Sequence, residues 1–149
     1  MYNWFECKIK YDKTGDDGII KTVTEAYLVD ALSFTEAEAR MNTEMKPFIS
    51  GEFDVANIKR VKIAELFDSQ NAAADKWYRS KVNFVAYDDE KGIEKKMPNS
   101  MYVKAADIKE ALTNLLEGMK GSMADYEVAS IVETAIMDVF QQEIIVKED

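Results

Sequence analysis

Trp4, Glu6, Lys8 and Lys10 stand at every second position, and Trp77, Arg79, Lys81 and Asn83 repeat that spacing 73 residues later. A β-strand turns residues i, i+2 and i+4 to one side, so each set makes a row that begins with an indole and continues with charge. Aromatic rings flanked by cations on a sheet face can stack the bases and neutralise the phosphates of single-stranded nucleic acid. In that chemistry Trp4 and Trp77 are stacking platforms, and Lys8, Lys10, Arg79 and Lys81 are phosphate contacts. Lys59, Arg60 and Lys62 add positive charge nearby. The plainer account is that each indole is covered by a neighbouring segment or a second subunit, while the lysines keep the face soluble. Both accounts stay open at this stage.

Other chemistry-bearing residues lead less far. Cys7 is the sole cysteine and there is no histidine, so the usual base for a thiolate is missing and no internal disulfide can form. A core position on a strand suits Cys7 better than a nucleophile's. Asp12, Asp16, Asp17, Asp88, Asp89 and Glu90 cluster carboxylates in turns, but without the spacing of a calcium loop. Gly118-Met119-Lys120-Gly121-Ser122 lacks the four residues that separate the glycine from the Gly-Lys pair of a phosphate loop, and it follows a helix instead of opening one. Glu133 and Asp138 have the side chains for acid–base work, yet nothing distinguishes them from the other acids. No catalytic residue, metal site or cofactor is expected.

The whole chain bears on these readings. Its 149 residues suit one ordinary domain, and 47% apolar with 32% charged residues is a globular profile. A net charge of −9 argues against a general duplex-DNA coat, although an acidic protein can still carry a local basic stripe. The start Met1-Tyr2-Asn3-Trp4-Phe5-Glu6 has no secretory-signal pattern, and the apolar runs are too short to span a bilayer. A cytoplasmic protein with no membrane association is expected.

The elements that position these residues are written twice. At an offset of 73, Trp4, Lys8, Val55, Ala56, Ile58, Ile63 and Phe67 find identical partners; at 74, so do Gly18, Ile19, Lys21, Val29, Ala31, Glu36, Ala37, Met45 and Lys46. A fixed-period self-match of this density marks an internal repeat. Each copy reads hairpin, helix, strand. Phe5, Cys7, Ile9 and Tyr11 alternate with polar residues as a half-buried strand, and a second strand runs over residues 19–31. Ser33 with Glu36 is a capping box that opens a helix striped by Phe34, Ala37, Met41, Met45 and Phe48. A third strand is expected over 53–66. In the second copy, Asp107 with Glu110 caps a helix striped by Ile108, Ala111, Leu115 and Met119, and a last strand spans 128–140.

These patterns predict a single α+β domain, a two-layer sandwich of tandem ββαβ units. Residues 3–68 are the first copy, 69–75 the joint, 76–141 the second copy and 142–149 a tail, in which Ile144–Val146 can add a strand. The expected sheet is one mainly antiparallel layer of six strands with both helices on one face, because a lone three-stranded unit buries too little surface. The runs YLVDALSFTEAEAR, MKPFISGEFDVANIKR and EGMKGSMADYEVASIVETAIMDVF, with the opening NWFECK, resemble a domain-of-unknown-function family found mainly in Bacteroidetes bacteria. That resemblance implies a small bacterial intracellular protein and brings no activity or site residue with it.

The functional expectation is a non-enzymatic binding protein working through its uncovered sheet face, with single-stranded nucleic acid as the most concrete ligand. The alternative is a regulatory or assembly protein that binds a protein partner or a second copy of itself as a homodimer; an enzyme stands third.

Overall fold

The structure, a computed structural model, describes residues 2–142; the strand expected at Ile144–Val146 lies outside them. Ten elements follow in order: β1 (Asn3–Thr14), β2 (Ile20–Ala31), α1 (Phe34–Met45), β3 (Phe53–Val61), β4 (Glu65–Phe67), β5 (Lys76–Asp88), β6 (Ile93–Ala105), α2 (Ile108–Gly118), β7 (Asp125–Glu133) and β8 (Ile136–Phe140). Local chemistry explains most of their limits. The hairpin tips hold Gly18 and Gly92 at φ of 76° and 64°, where a side chain would be strained. Both helices open on the expected caps. Ser33 Oγ accepts from Glu36 N at 3.1 Å and Asp107 Oδ1 from Glu110 N at 2.8 Å, each satisfying one of the orphan amides of a first turn.

The strands form two mixed four-stranded sheets, ordered β3-β1-β2-β8 and β4-β6-β5-β7. The single six-stranded sheet is therefore corrected. Each expected third strand is in fact two strands with separate destinations. β3 ends where Val61 pairs with Trp4, close to the start of β1, so further residues would have no neighbouring backbone to bond. The chain then leaves that sheet, and β4 joins the other one in parallel to β6. The second half does the reverse: β8 follows β7 in sequence but pairs in parallel with β2. The two helices likewise belong to separate layers, one per sheet.

The chain accordingly divides into two compact units, one built from residues up to Lys62 plus the segment from Ile136, the other from Ile63–Ala135. In the first, α1 lays Ala37, Met41 and Met45 on Phe5, Cys7 and Ile9 of β1 and on Tyr27, Val29 and Ala31 of β2. Burying each of the larger of these side chains is worth about 1.5–3 kcal/mol. Phe34 closes one end edge-to-face on Phe5 at 4.9 Å, and Phe140 of β8 stacks on Tyr27 at 5.9 Å. In the second, Leu115 and Met119 pack with Val82, Met101 and Val103, flanked by Phe67 of β4; Ala111 packs with Tyr78 and Ala105.

Position for position, the pairings of the two sheets agree. Cys7 pairs with Ile58 as Ser80 does with Ile131, and the bulges at Lys8/Ile9 and Lys81/Val82 coincide. Val29 pairs with Phe140 as Val103 does with Phe67.

Candidate functional site

The face of each sheet turned away from its helix carries the residues singled out in the sequence. On β1, Phe5, Cys7 and Ile9 are buried under α1, so strand alternation puts Trp4, Glu6, Lys8 and Lys10 on the other side. On β5 the same argument from Tyr78, Ser80 and Val82 puts Trp77, Arg79, Lys81 and Asn83 there.

Lys8, Lys10, Arg79 and Lys81 are all exposed. The ion pairs among the described residues engage Arg40, Lys76, Lys96, Lys104 and Lys120, and none of these four. The indoles are placed differently. Trp4 is half-buried, whereas Trp77 is only 2% exposed, and its Nε1 finds no hydrogen-bond partner among the described residues. A ring so covered cannot offer its face to a base, so the stacking role expected of Trp77 has no open surface here. The helix-free face is in fact open only in part, since Leu28 of β2 is 0% exposed and Tyr102 of β6 is 6% exposed. A signal for this was present: Ala26-Tyr27-Leu28-Val29 is a continuous apolar run, the mark of a strand buried on both faces.

The cross-strand neighbours define the electrostatics of each face. On the first sheet Glu6 lies between Leu28 and Lys59, Lys8 between Ala26 and Asn57, and Lys10 between Thr24 and Asp54. On the second, Arg79 lies between Tyr102 and Val132, and Lys81 between Ser100 and Ser130. Beyond them Asn83 donates to Glu127 at 3.1 Å, and Lys96 pairs with Glu127 at 2.9 Å. That shared contact raises the Lys96 amine and lowers the Glu127 carboxyl from their ordinary values. Of the auxiliary cations, Lys59 lies on the face of Lys8, while Arg60 pairs with the core residue Phe5 and so points to the other side.

The remaining candidates resolve into structural roles. Cys7 is 0% exposed, and burial, with the Glu6 charge beside it, pushes its thiol up to about 12; such a group stays a thiol near neutrality. Of the turn carboxylates, Asp17 accepts from Ile19 N and Asp88 from Glu90 N and Lys91 N within their own loops, while Asp12 accepts from the Thr22 hydroxyl across the β1–β2 pair. Among the described residues no three metal-ligating side chains converge. Gly118 lies under the Phe67 ring, and Gly121 at φ 86° turns the chain after α2, so this segment is a helix stop. Glu133 is exposed on β7, 3.8 Å from Lys76, and Asp138 accepts from its neighbour Val139 N.

Two features were not anticipated. A shallow depression of about 260 Å³ opens beside the first hairpin, lined by Lys10, Tyr11, Asp12, Thr22, Glu52, Phe53 and Asp54. On α2, Ile108, Leu112 and Leu116 recur every four residues and stand 57%, 40% and 42% exposed, beside the buried stripe of Ala111 and Leu115. No helix among the described residues is long and apolar enough to cross a membrane.

Comparison with known proteins adds a family. The family described as Domain of unknown function (DUF4494) matches residues 3–142, nearly the whole chain. No curated protein matches it.

Proposed function

The chain belongs to the DUF4494 family, and from that premise we propose that it is a non-enzymatic binding protein whose helix-free sheet faces contact single-stranded nucleic acid. One observation carries the reading: Lys8, Lys10, Arg79 and Lys81 are exposed on those faces, and no ion pair among the described residues occupies them. Free cations in a row along a strand suit a phosphodiester backbone, which carries its charges in a row. Trp4, half-buried at the head of the first row, is the aromatic contact that stays within reach. We read the matched strand register as an internal duplication, so that both faces descend from one ancestral surface. The setting we propose is a bacterial cytoplasm.

The test is titration of the full chain against a labelled single-stranded oligonucleotide over a range of salt. Binding that weakens steeply with salt, and that the combined Lys8→Glu and Lys81→Glu substitutions abolish, supports the reading. Absence of binding at low salt refutes it.

A second reading, a protein-binding or homodimeric assembly factor, is favoured by the exposed Ile108, Leu112 and Leu116 stripe on α2. The matching positions of α1 are Phe34, Glu38 and Asn42, so the stripe belongs to one half only. Light scattering of the wild type beside Leu112→Glu/Leu116→Glu tests its homodimeric form: a dimer that the substitutions dissolve supports it, and a monomer in both cases removes the homodimer.

A further inference from the structure

Resting on the nucleic-acid reading, we infer that the two faces are not equivalent: Arg79 and Lys81, with the hydroxyls of Ser100 and Ser130, form the stronger phosphate-contacting site, and the Lys8/Lys10 face the weaker one. The neighbours decide it. Lys81 has Ser130 on one side and Ser100 on the other, both turned to its own face by direct pairing. A row Ser–Lys–Ser offers an ammonium and two hydroxyl donors to one phosphate, and the next row along β5 adds the planar fork of Arg79, suited to a second. The two cations are two strand residues apart, about 6.6–6.8 Å along the chain. No acid lies in either row, because Arg79 is flanked by Tyr102 and Val132. The carboxylate of the next row, Glu127 across from Asn83, is already engaged by Asn83 and Lys96.

The corresponding positions of the first sheet differ in charge and in hydroxyls. Glu6 stands where Arg79 does, next but one to Lys8 on the same face. Asp54 stands directly across from Lys10, where side chains approach to about 4.5–5.5 Å. Ala26 and Asn57 replace the two serines beside Lys8. A phosphate arriving there meets fewer hydroxyls and two carboxylates, Glu6 with Lys59 across from it and Asp54 directly across from Lys10. Because Trp77 is covered, the second face grips the backbone without stacking, so its binding is indifferent to base sequence.

The experiment compares full-length wild type with Arg79→Glu/Lys81→Glu and with Lys8→Glu/Lys10→Glu, by anisotropy of a labelled oligothymidylate at about 50 mM salt. Both variants change the net charge equally, which cancels any effect of whole-protein repulsion, and all four residues are exposed, so thermal melts should coincide. The expected result is a loss of more than about tenfold for the first variant, with a salt slope lower by about two, and a clearly smaller loss, of about threefold, for the second. Ser100→Ala/Ser130→Ala, which alters no charge, should weaken binding about threefold to tenfold. Equal losses in the two charge variants, or the larger loss in Lys8→Glu/Lys10→Glu, overturn the asymmetry and leave the nucleic-acid reading standing. No binding by wild type overturns that reading itself, and the inference with it.

Discussion

Phe67 and Phe140 hold the same place in two different sheets. Each ends a short strand that pairs in parallel with the sheet whose other three strands come from the opposite half of the chain, Phe67 beside Val103 and Phe140 beside Val29. Each ring also packs on the core of the unit it enters. The two halves thus trade strands, and neither four-stranded sheet can be completed from one half of the sequence.

A truncation of either ring should be felt in the half that did not supply it. Phe67→Ala removes a partly buried ring from the core of Val82, Met101, Val103 and Leu115, at a cost of about 3 kcal/mol. Hydrogen exchange should speed up along β5 and β6 and much less along β1 and β2. Phe140→Ala should give the opposite pattern, since its ring stacks on Tyr27. Exchange rising first in the supplying half would contradict the traded-strand account.

Gly118 ends α2 as a normal helical residue, where alanine would ordinarily gain about 1 kcal/mol. Here an added Cβ would meet the Phe67 ring at 2.6 Å. Gly118→Ala should therefore destabilise the protein, by about 1–3 kcal/mol, because the ring must leave its packed position. Adding Phe67→Leu should recover part of that loss. Urea midpoints of the three variants decide it, and a Gly118→Ala protein more stable than wild type would show that the ring yields freely.

The back of the first unit holds a different device. Arg40 reaches from α1 to both the carbonyl and the carboxylate of Asp30, and Gln142 N donates to the same carboxylate at 2.7 Å. In the second half Asn114 makes only the carbonyl contact, to Lys104 at 3.1 Å. Arg40→Met leaves a carboxylate that is 6% exposed with the Gln142 amide for company, and should cost about 3 kcal/mol. Arg40→Met/Asp30→Leu should recover most of that, because the pair is needed only while one charged member remains. Asn114→Ala should cost about 1 kcal/mol. A double variant no more stable than Arg40→Met would mean that the pair contributes more than mutual neutralisation.

How much of this was legible in the sequence depended on how local the cause was. The Phe5/Cys7/Ile9 alternation, the Ser33 and Asp107 caps and the glycines of the hairpin tips act within a few residues, and those elements stand where the pattern puts them. The split of each third strand is not local. Lys62-Ile63-Ala64 and Thr134-Ala135 contain neither glycine nor proline, and β4 and β8 are three and five residues long. Their partners in the parallel pairing, Met101–Val103 for β4 and Ala26–Val29 for β8, are distant in sequence, and nothing in the short strands themselves specifies that choice. The cationic rows were legible because strand alternation needs no partner. The covering of Trp77 was not, since burial of a second face depends on what packs there.

Cys7 and Ser80 occupy matching positions, and the comparison makes an alkaline prediction. Burial raises the Cys7 thiol from 9.0 to about 12, and raises Tyr27 from 10.0 to about 12, with nearby Glu25 adding to the latter. In the unfolded chain the thiol sheds its proton first, at the ordinary value. Stability from this source is therefore intact below pH 9 and is lost progressively between about pH 9 and about pH 12. By about pH 10.5 the thiol alone should have removed about 2 kcal/mol. Ser80 shows what a hydroxyl does at the matching site: its Oγ donates to Ser130 O at 3.0 Å. The acceptor in the corresponding place for residue 7 is the carbonyl of Asn57, which pairs with Lys8 as Ser130 does with Lys81. Cys7→Ser should thus fold with a loss of about 1–2 kcal/mol at neutral pH and should show a shallower decline above pH 9, the residual slope belonging to Tyr27 and other groups. Urea unfolding of both proteins at several pH values reads the difference; parallel curves would mean that the buried thiol does not control the alkaline limb.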